Sequence, residues 1–578
     1  MSFFASAGRE VRQCIYAVAV GALAAAIAPH AAAADAAPAA PATPACDPYK
    51  NYDCLDKYLG DGIWERFINY QALEWNQAGP PTDPKAPPTR RDKWPTTPQT
   101  TPPMPFTEWP YGGEDLMGVT TPNSVDSPFM VSIANTGIGK WMSDNHFQVW
   151  GWVNVGGNIS SSTTKPGGNS PAAYAYNPNE ITLDQAVFYW DRFPDTVQKD
   201  HYDWGMRLSA IYGTNYRYTT SYGMDSWQYL TRNRANGYDF PMLWLELFDP
   251  FVMEGLQVRF GRFISVPDIE AQLAPNNYMY SHSMTYAFDN YTNTGFIASL
   301  AVTPQFFVQV GVTDGTEASL PHMHETVGNP TQYVTLPGYG KILNPLFPDA
   351  SFKKDPGSMP SFSLCGRYQT QSGDDDINLC ADGINKGTWG YNNMQWYGGT
   401  YYHKFNDKWH LSYELYTVFI KGVPNLNNPV VQAMNSAYGA DGGTPFSALQ
   451  GVLFNNPDEA YCLGSTTAVG GPPTCTTHDT ASVAYLNYSP DPLNNFSIRP
   501  EFFLDGQGQR TGTPTRYFNF GLGWQHWYGP QLEVRPEVVW YHSFNAPAFN
   551  GNVDALPTAI APDKKSEVIV SGDIIWHF

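Results

Sequence analysis

Charge is the first thing this 578-residue chain is short of. Asp, Glu, Lys and Arg make up 15% of it, against roughly 25% in an average soluble domain. Long apolar runs are missing too. After the first thirty residues none approaches the roughly 18 that a membrane-spanning helix needs, and the mean hydropathy is −0.36. A bundle of transmembrane helices is thereby excluded. Cysteine is scarce at seven residues, and no two have the Cys-x2–4-Cys spacing of a zinc site. Neither a glycine-rich phosphate loop nor a dinucleotide fingerprint occurs, so no cofactor is indicated. With a net charge of −20, the acidic surface argues against nucleic acid as a partner.

Aromatic residues, at 15%, equal the charged ones, and glycine is abundant at 51. A chain rich in Tyr, Trp, Phe and Gly, poor in charge and without helical spans has the composition of a transmembrane β-barrel. There the apolar band is diluted by a polar lumen and aqueous loops.

Export is the expectation from the first residues. Arg9 and Arg12 precede the apolar run Cys14–Pro29, and Ala31–Ala34 offer A-x-A sites, so residues 1–34 read as a signal peptide. Its loss takes two of 33 basic and one of 53 acidic residues and leaves −21. The other six cysteines form three local pairs: Cys46 with Cys54, Cys365 with Cys380, and Cys462 with Cys475. In an exported chain such pairs read as disulfides that staple loops. Residues 35–145 are Ala/Pro-rich with a candidate amphipathic helix around Leu55–Leu73. This block suits a periplasmic spacer or a plug in a barrel mouth.

From residue 146 to 578 the texture is that of strands. The chain ends on Ser566–Phe578, where Val568, Val570, Gly572, Ile574, Trp576 and Phe578 alternate with Ser571, Asp573 and His577. That is a period-two pattern. A terminal Phe next to Trp576 resembles the signal read by the bacterial barrel-assembly machinery. Fourteen strands are predicted, with twelve or sixteen possible. The connections alternate: short ones follow even strands, and long ones follow odd strands, up to about eighty residues at Gly315–Met394. Tight periplasmic turns, large external loops and an even strand number describe an all-β, antiparallel up-and-down transmembrane barrel. A soluble sandwich has no reason to sort its loops by parity.

Alternation also assigns faces. Phe496, Ile498, Pro500, Phe502 and Leu504 face lipid, opposite Arg499 and Glu501. Val534, Pro536, Val538 and Trp540 do the same opposite Arg535 and Glu537. Between these two Arg-Pro-Glu strands runs one whose inner face is small, with Gly521 and Gly523. Arg207, Glu246, Arg259, Glu414 and Asp573 extend the inward set. Arg or Lys facing mid-bilayer lipid costs about 2–4 kcal/mol, so these charges belong inside. Two readings stay open: a water-filled pore whose wall mixes Arg and Glu, or a filled barrel in which Arg499/Glu501 and Arg535/Glu537 pair across strands. The prolines each delete a ladder hydrogen bond and are expected at strand ends or bulges.

The stretches GWVNVGGNIS (151–160), GRFISVPDIEAQLAPNNYMYSHSMTYAF (261–288), IRPEFFLDGQGQR and VRPEVVWYHS resemble the OmpL-like β-barrel porins of Gram-negative outer membranes. The likeness runs from about residue 146 to the end and departs from the family pattern at Pro267–Glu270. It implies an outer-membrane channel rather than an enzyme, with lipids, the assembly machinery and small hydrophilic solutes as partners, as a monomer or homotrimer. The connection Ile264–Asn293, carrying Asp268 and Glu270, is the candidate constriction loop, opposed by Arg207, Arg259, Arg499 and Arg535. The acidic balance suggests weak cation preference. The alternatives are a non-conducting scaffold or adhesin presenting disulfide-stapled loops, and a barrel-embedded hydrolase around Ser281-His282-Ser283 or His542-Ser543. His322-x-His324 could reach Cu or Zn, but no further ligands are evident and no metal is assigned.

Overall fold

A computed structural model describes residues 56–76, 127–196, 198–219, 236–264, 268–290, 292–315, 333–336, 340–343, 360–372, 374–385, 394–425, 427–428, 462–463, 472, 474–491, 493–528, 531–551 and 560–578. Among them sixteen strands close into one antiparallel barrel. In chain order they are β1 Phe147–Ser160, β2 Ile181–Arg192, β3 Asp203–Gly213, β4 in two pieces (Gly237–Asp239 and Leu243–Asp249), β5 Leu256–Ile264, β6 Thr292–Ala301, β7 Phe306–Thr313 and β8 Ser361–Gln369. There follow β9 Asp375–Ile384, β10 Gln395–Asn406, β11 Trp409–Pro424, β12 Thr474–Asp491, β13 Asn494–Asp505, β14 Thr515–Trp527, β15 in two pieces (Leu532–Val534 and Glu537–Ser543) and β16 Ser566–His577. Each strand pairs with its neighbours in sequence. Closure comes from β16 on β1, with Trp152 opposite His577 and Ser160 opposite Ile569.

Sixteen strands replace the fourteen of the preferred reading. The two missed are β8 and β9, inside the stretch taken as one loop of about eighty residues. Their outer residues Phe362, Leu364, Ile377 and Leu379 are exposed, and Arg367, Asp376, Asn378 and Asp382 point inward. Cys365 and Cys380 stand directly opposite each other on these strands and are bonded. The pair ties barrel wall to barrel wall and does not staple a loop. Cys462, outside the strands, is bonded to Cys475 at the start of β12.

The third expected disulfide, Cys46 with Cys54, falls elsewhere in the chain. Both Cys54 and its expected partner Cys46 lie outside the described residues, which begin at Asp56.

Adding two strands leaves the parity of the connections unchanged, so short turns remain at one rim, where β1 begins and β16 ends. Outward side chains form an apolar band that includes Leu245, Leu247, Phe260, Phe296, Val310 and Ile574, all exposed. The alternation assigned to β13, β14, β15 and β16 matches their exposure, except that the inward Gly523 is only half-buried. Pro536 separates the two pieces of β15. Pro500 keeps its place opposite Phe520, while pairing with β12 skips from Glu501 to Ile498. Each ring removes a donor, and the ladder is interrupted there.

Among the described residues four helices precede the barrel: α1 Asp56–Leu59, α2 Ile63–Asn76, α3 Pro128–Ile133 and α4 Gly137–Asp144. They lie against the outer surface at the short-turn rim. Met130, Ile133 and Met142 pack with Phe147 and Val149, and Phe67 lies against Trp576.

Candidate pore and its inserted loop

Peptide groups removed from bulk water need partners. The connection after β5 enters the lumen, and Asp268, Glu270, Gln272, Asn277, Ser281, Ser283 and Thr285 on it are all buried. Part of its shape is made locally. Asn277 donates to the carbonyls of Ala271 (2.7 Å) and Leu273 (2.9 Å) and accepts from the Ala271 N–H. Ser283 caps the short helix α5, Met284–Ala287, by accepting from the Tyr286 N–H at 3.0 Å.

The wall supplies the remaining partners, and the two Arg-Pro-Glu strands supply the charged ones at the loop's centre. Arg499 donates to the Ser281 carbonyl and, at 3.1 Å, to its hydroxyl. Glu501 accepts from the Thr285 hydroxyl at 2.8 Å and from Asn519 at 2.8 Å. Arg535 donates to the carbonyls of Ala274 and Asn277, the latter at 2.9 Å, and Glu537 accepts from the Ser281 N–H at 3.1 Å. Arg499 does not pair with Glu501, nor Arg535 with Glu537, among the described contacts. These residues reach inward and hold the loop's backbone. Gln185 on β2 clasps it from the other side, donating to the Gln272 carbonyl and accepting from the Ala274 N–H.

The small inner face of β14 now has a cause. A Cβ on Gly521 would lie 2.9 Å from Met279 Cε, and one on Gly523 would lie 2.7 Å from Met279 Cγ. The loop's Met279 occupies the space those glycines leave.

Of the other inward candidates, Arg207, Glu246, Arg259 and Asp573 form buried ion pairs along the wall. Arg207 meets Asp191 at 3.0 and 3.1 Å, Arg259 meets Glu246 at 3.0 Å, and Arg535 meets Asp573 at 3.0 Å. Such pairs are retained in low dielectric only with good geometry and further hydrogen bonds. Asn154 supplies one to Asp573 at 2.7 Å, and Gln257 one to Glu246 at 2.7 Å. Of the four arginines expected to oppose the loop, Arg499 lies 3.8 Å from Glu270 and Arg535 binds loop carbonyls. Arg207 and Arg259 are engaged with the wall carboxylates just named.

Glu270 also accepts from the Ser283 N–H at 3.0 Å. Burial outweighs these favourable contacts and pushes its carboxyl up to about 7. Asp268 sits among acids instead. It, Asp289 and Glu414 bring ligand oxygens within 4.8 Å of one another, with Glu414 also accepting from the Ile269 N–H at 3.0 Å. An all-oxygen set of this kind suits a hard cation, or shares protons. Sequence spacing could not join three residues so far apart.

Several lumen residues escaped sequence reasoning. Asp191 lay on an assigned strand in phase with its inward residues, so alternation was the available signal, whereas Asp239 and Arg262 are out of phase with the inward residues beside them and gave none. Arg367 and Asp376, 2.8 Å apart, lay on the missed strands. Arg510, which donates to the Phe288 carbonyl at 2.8 Å, sits in a connection between strands that folds inward and carries no periodicity.

The candidate hydrolase residues do not assemble a triad. His282 donates to the Ala271 carbonyl (2.7 Å), lies 3.1 Å from the Asn277 amide nitrogen and stacks on Tyr174. Burial holds its imidazole well below the ordinary value. His542 contacts Ser566, not Ser543. Pro321–Glu325, with its two histidines, lies outside the described residues. At the chain end, Phe578 exchanges backbone hydrogen bonds with Gly151 at 2.9 and 3.2 Å, while a Cβ on Gly151 would lie 2.6 Å from the Phe578 ring. Trp576 donates to Gln71 at 3.0 Å.

Residues 146–578 match the family described as "Putative beta-barrel porin-2, OmpL-like". No curated protein matches the chain. Among solved structures it is similar to the outer membrane channel DcaP of Acinetobacter baumannii, at 8% identity and a TM-score of 0.41, covering 75% of this chain and 97% of that one. It is similar also to an anion-selective porin from Comamonas acidovorans, at 10% identity and a TM-score of 0.41, covering 75% and 99%. OprB of Pseudomonas putida shares 10% identity at a TM-score of 0.35, over 77% and 97%.

Proposed function

The chain belongs to the OmpL-like porin-2 family of β-barrels, and from that membership we propose a passive channel for small hydrophilic solutes with a weak preference for cations. A closed barrel of sixteen strands is wide enough to leave an aqueous lumen. The observation that carries the reading is the chain's own loop, Asp268–Asn290, entering that lumen and held there by Arg499, Glu501, Arg535 and Glu537. A loop fixed in this way narrows a pore without needing to close it. The negative balance of the whole chain favours cations over anions along the path. Asp573 and the ion-paired arginines contribute fixed charge to the same wall. Trp576 and Phe578, on the outer side of the closing strand, serve assembly and the lipid boundary.

Liposome swelling tests the transport reading. Vesicles carrying the purified protein are expected to swell in isotonic arabinose or glycine, with the rate falling as solute size rises. Vesicles that stay intact in every solute would point to a closed scaffold.

A further inference from the structure

The helix α2 is amphipathic in the wrong sense for a soluble segment. Its charged Arg66 and its Tyr70 are turned inward, 6% and 1% exposed. Arg66 donates to the Ser132 carbonyl at 2.7 Å and the Gly60 carbonyl at 3.0 Å, and it pairs with Asp56. The side turned away from the protein is mainly apolar, with Glu65 exposed at its edge in the first turn. Trp64 is 72% exposed, Ile68 62%, and Ala72 is exposed on the same line. Residues four apart form one stripe on a helix.

The height of this stripe is fixed by three contacts. Phe67 lies 6.2 Å from the ring of Trp576. The Trp576 indole N–H reaches Gln71. Gln531, in the short turn before β15, reaches the Gln71 carbonyl at 3.5 Å. All three place α2 at the short-turn rim, on the outside, where the barrel's apolar band ends. Elsewhere on the same rim, α4 stacks Trp141 on Phe147 at 5.4 Å, and Phe147 in turn meets Trp190 and Trp204 of the outer face. The stripe thus lies at the rim that also carries outward aromatics, at the level where Trp and Tyr are enriched beside a bilayer. Fourteen residues are too few to span hydrocarbon, whereas an exposed apolar face beside a barrel suits a helix lying in the interface plane.

We propose that α2 is an interfacial helix, seated through Trp64, Ile68 and Ala72 on phospholipid of the leaflet at the short-turn rim. This rests on the reading of the barrel as a membrane protein, so the experiment reports on the two separately. Ile68→Cys and Leu379→Cys are made singly in the full exported chain with its disulfides intact. Each is spin-labelled in phosphatidylethanolamine/phosphatidylglycerol vesicles, with the wild type carried through labelling as the blank. Power saturation then compares the label's accessibility to oxygen, which concentrates in lipid, with that to an aqueous nickel complex.

At Leu379, in the outer band, the oxygen-to-nickel ratio is expected above unity, and at Ile68 above unity but smaller, as befits a shallow site. If Leu379 fails, the barrel reading falls and takes the helix with it. If Leu379 is lipid-exposed and Ile68 favours nickel, the helix faces water and the proposal alone is overturned. Shielding of Ile68 from both reagents would mean that protein covers the stripe, which also overturns it.

Discussion

Glu270 is a loop residue whose charge sits close to a working pH. Burial raises its carboxyl to about 7, so the group is mostly neutral at pH 6 and mostly charged at pH 8. A folded value above the ordinary 4.5 means that its contribution to stability is fully present below about 4.5 and is lost as pH rises through about 7. Cation preference should move the opposite way and strengthen between pH 6 and 8. Reversal potentials at those two pH values should separate in the wild type and converge in Glu270→Gln. A wild type with no separation would contradict the assignment. Arg535 works on the same loop as a structural clamp. Truncating it in Arg535→Ala leaves Asp573 buried without its partner, a defect worth about 3–5 kcal/mol, and releases the Ala274 and Asn277 carbonyls. The melting temperature of the folded barrel should fall, and single-channel current should become noisier as the loop loosens.

At the scale of elements, the seat of the loop is β14. Gly523→Leu would force a branched side chain into space that Met279 holds. Overpacking of this kind costs about 1–3 kcal/mol, and the loop can yield more easily than the wall. Larger sugars should then enter in a swelling assay; an unchanged size limit would show that Met279 does not brace the constriction. The closing strand makes a second element-scale case. Deleting Phe578 removes the backbone pair with Gly151 and the ring packed on it, and insertion into the outer membrane should drop when measured by heat-modifiable mobility.

How much of this was legible beforehand differs by element. β13, β14, β15 and β16 announced both their strands and their faces, because an outward apolar residue alternates with an inward polar one almost without exception. β8 and β9 alternate too, in SFSLCGRY and DDINLC. Their cysteines suggested a loop staple, and that reading hid the strands. Close spacing of two cysteines says only that they can meet, not whether a strand pair or a loop brings them together. Two Arg-Pro-Glu triplets marked the wall facing the loop, and glycines between them marked its seat, yet nothing local said that the triplets bind peptide groups instead of each other. That outcome depends on a segment more than two hundred residues away entering the lumen. The acidic trio Asp268, Asp289 and Glu414 was invisible for the same reason.

For the whole molecule, parity of the connections decided the architecture and survived the addition of two strands. Membership of the porin family agrees with it, and the inward charges turn from a list of lumen residues into two working sets. One set pairs along the wall, as Arg207 does with Asp191 and Arg259 with Glu246, and keeps the barrel's inner face polar at low net charge. The other holds the inserted loop. A channel so built should conduct, and its residual acidity should show in the ions it prefers. The zero-current potential across a planar bilayer under a tenfold KCl gradient measures this directly. Discrete channels with a potential of the sign set by potassium are expected, modest in size. A potential of the sign set by chloride, or no conductance at all, would contradict a cation-preferring pore.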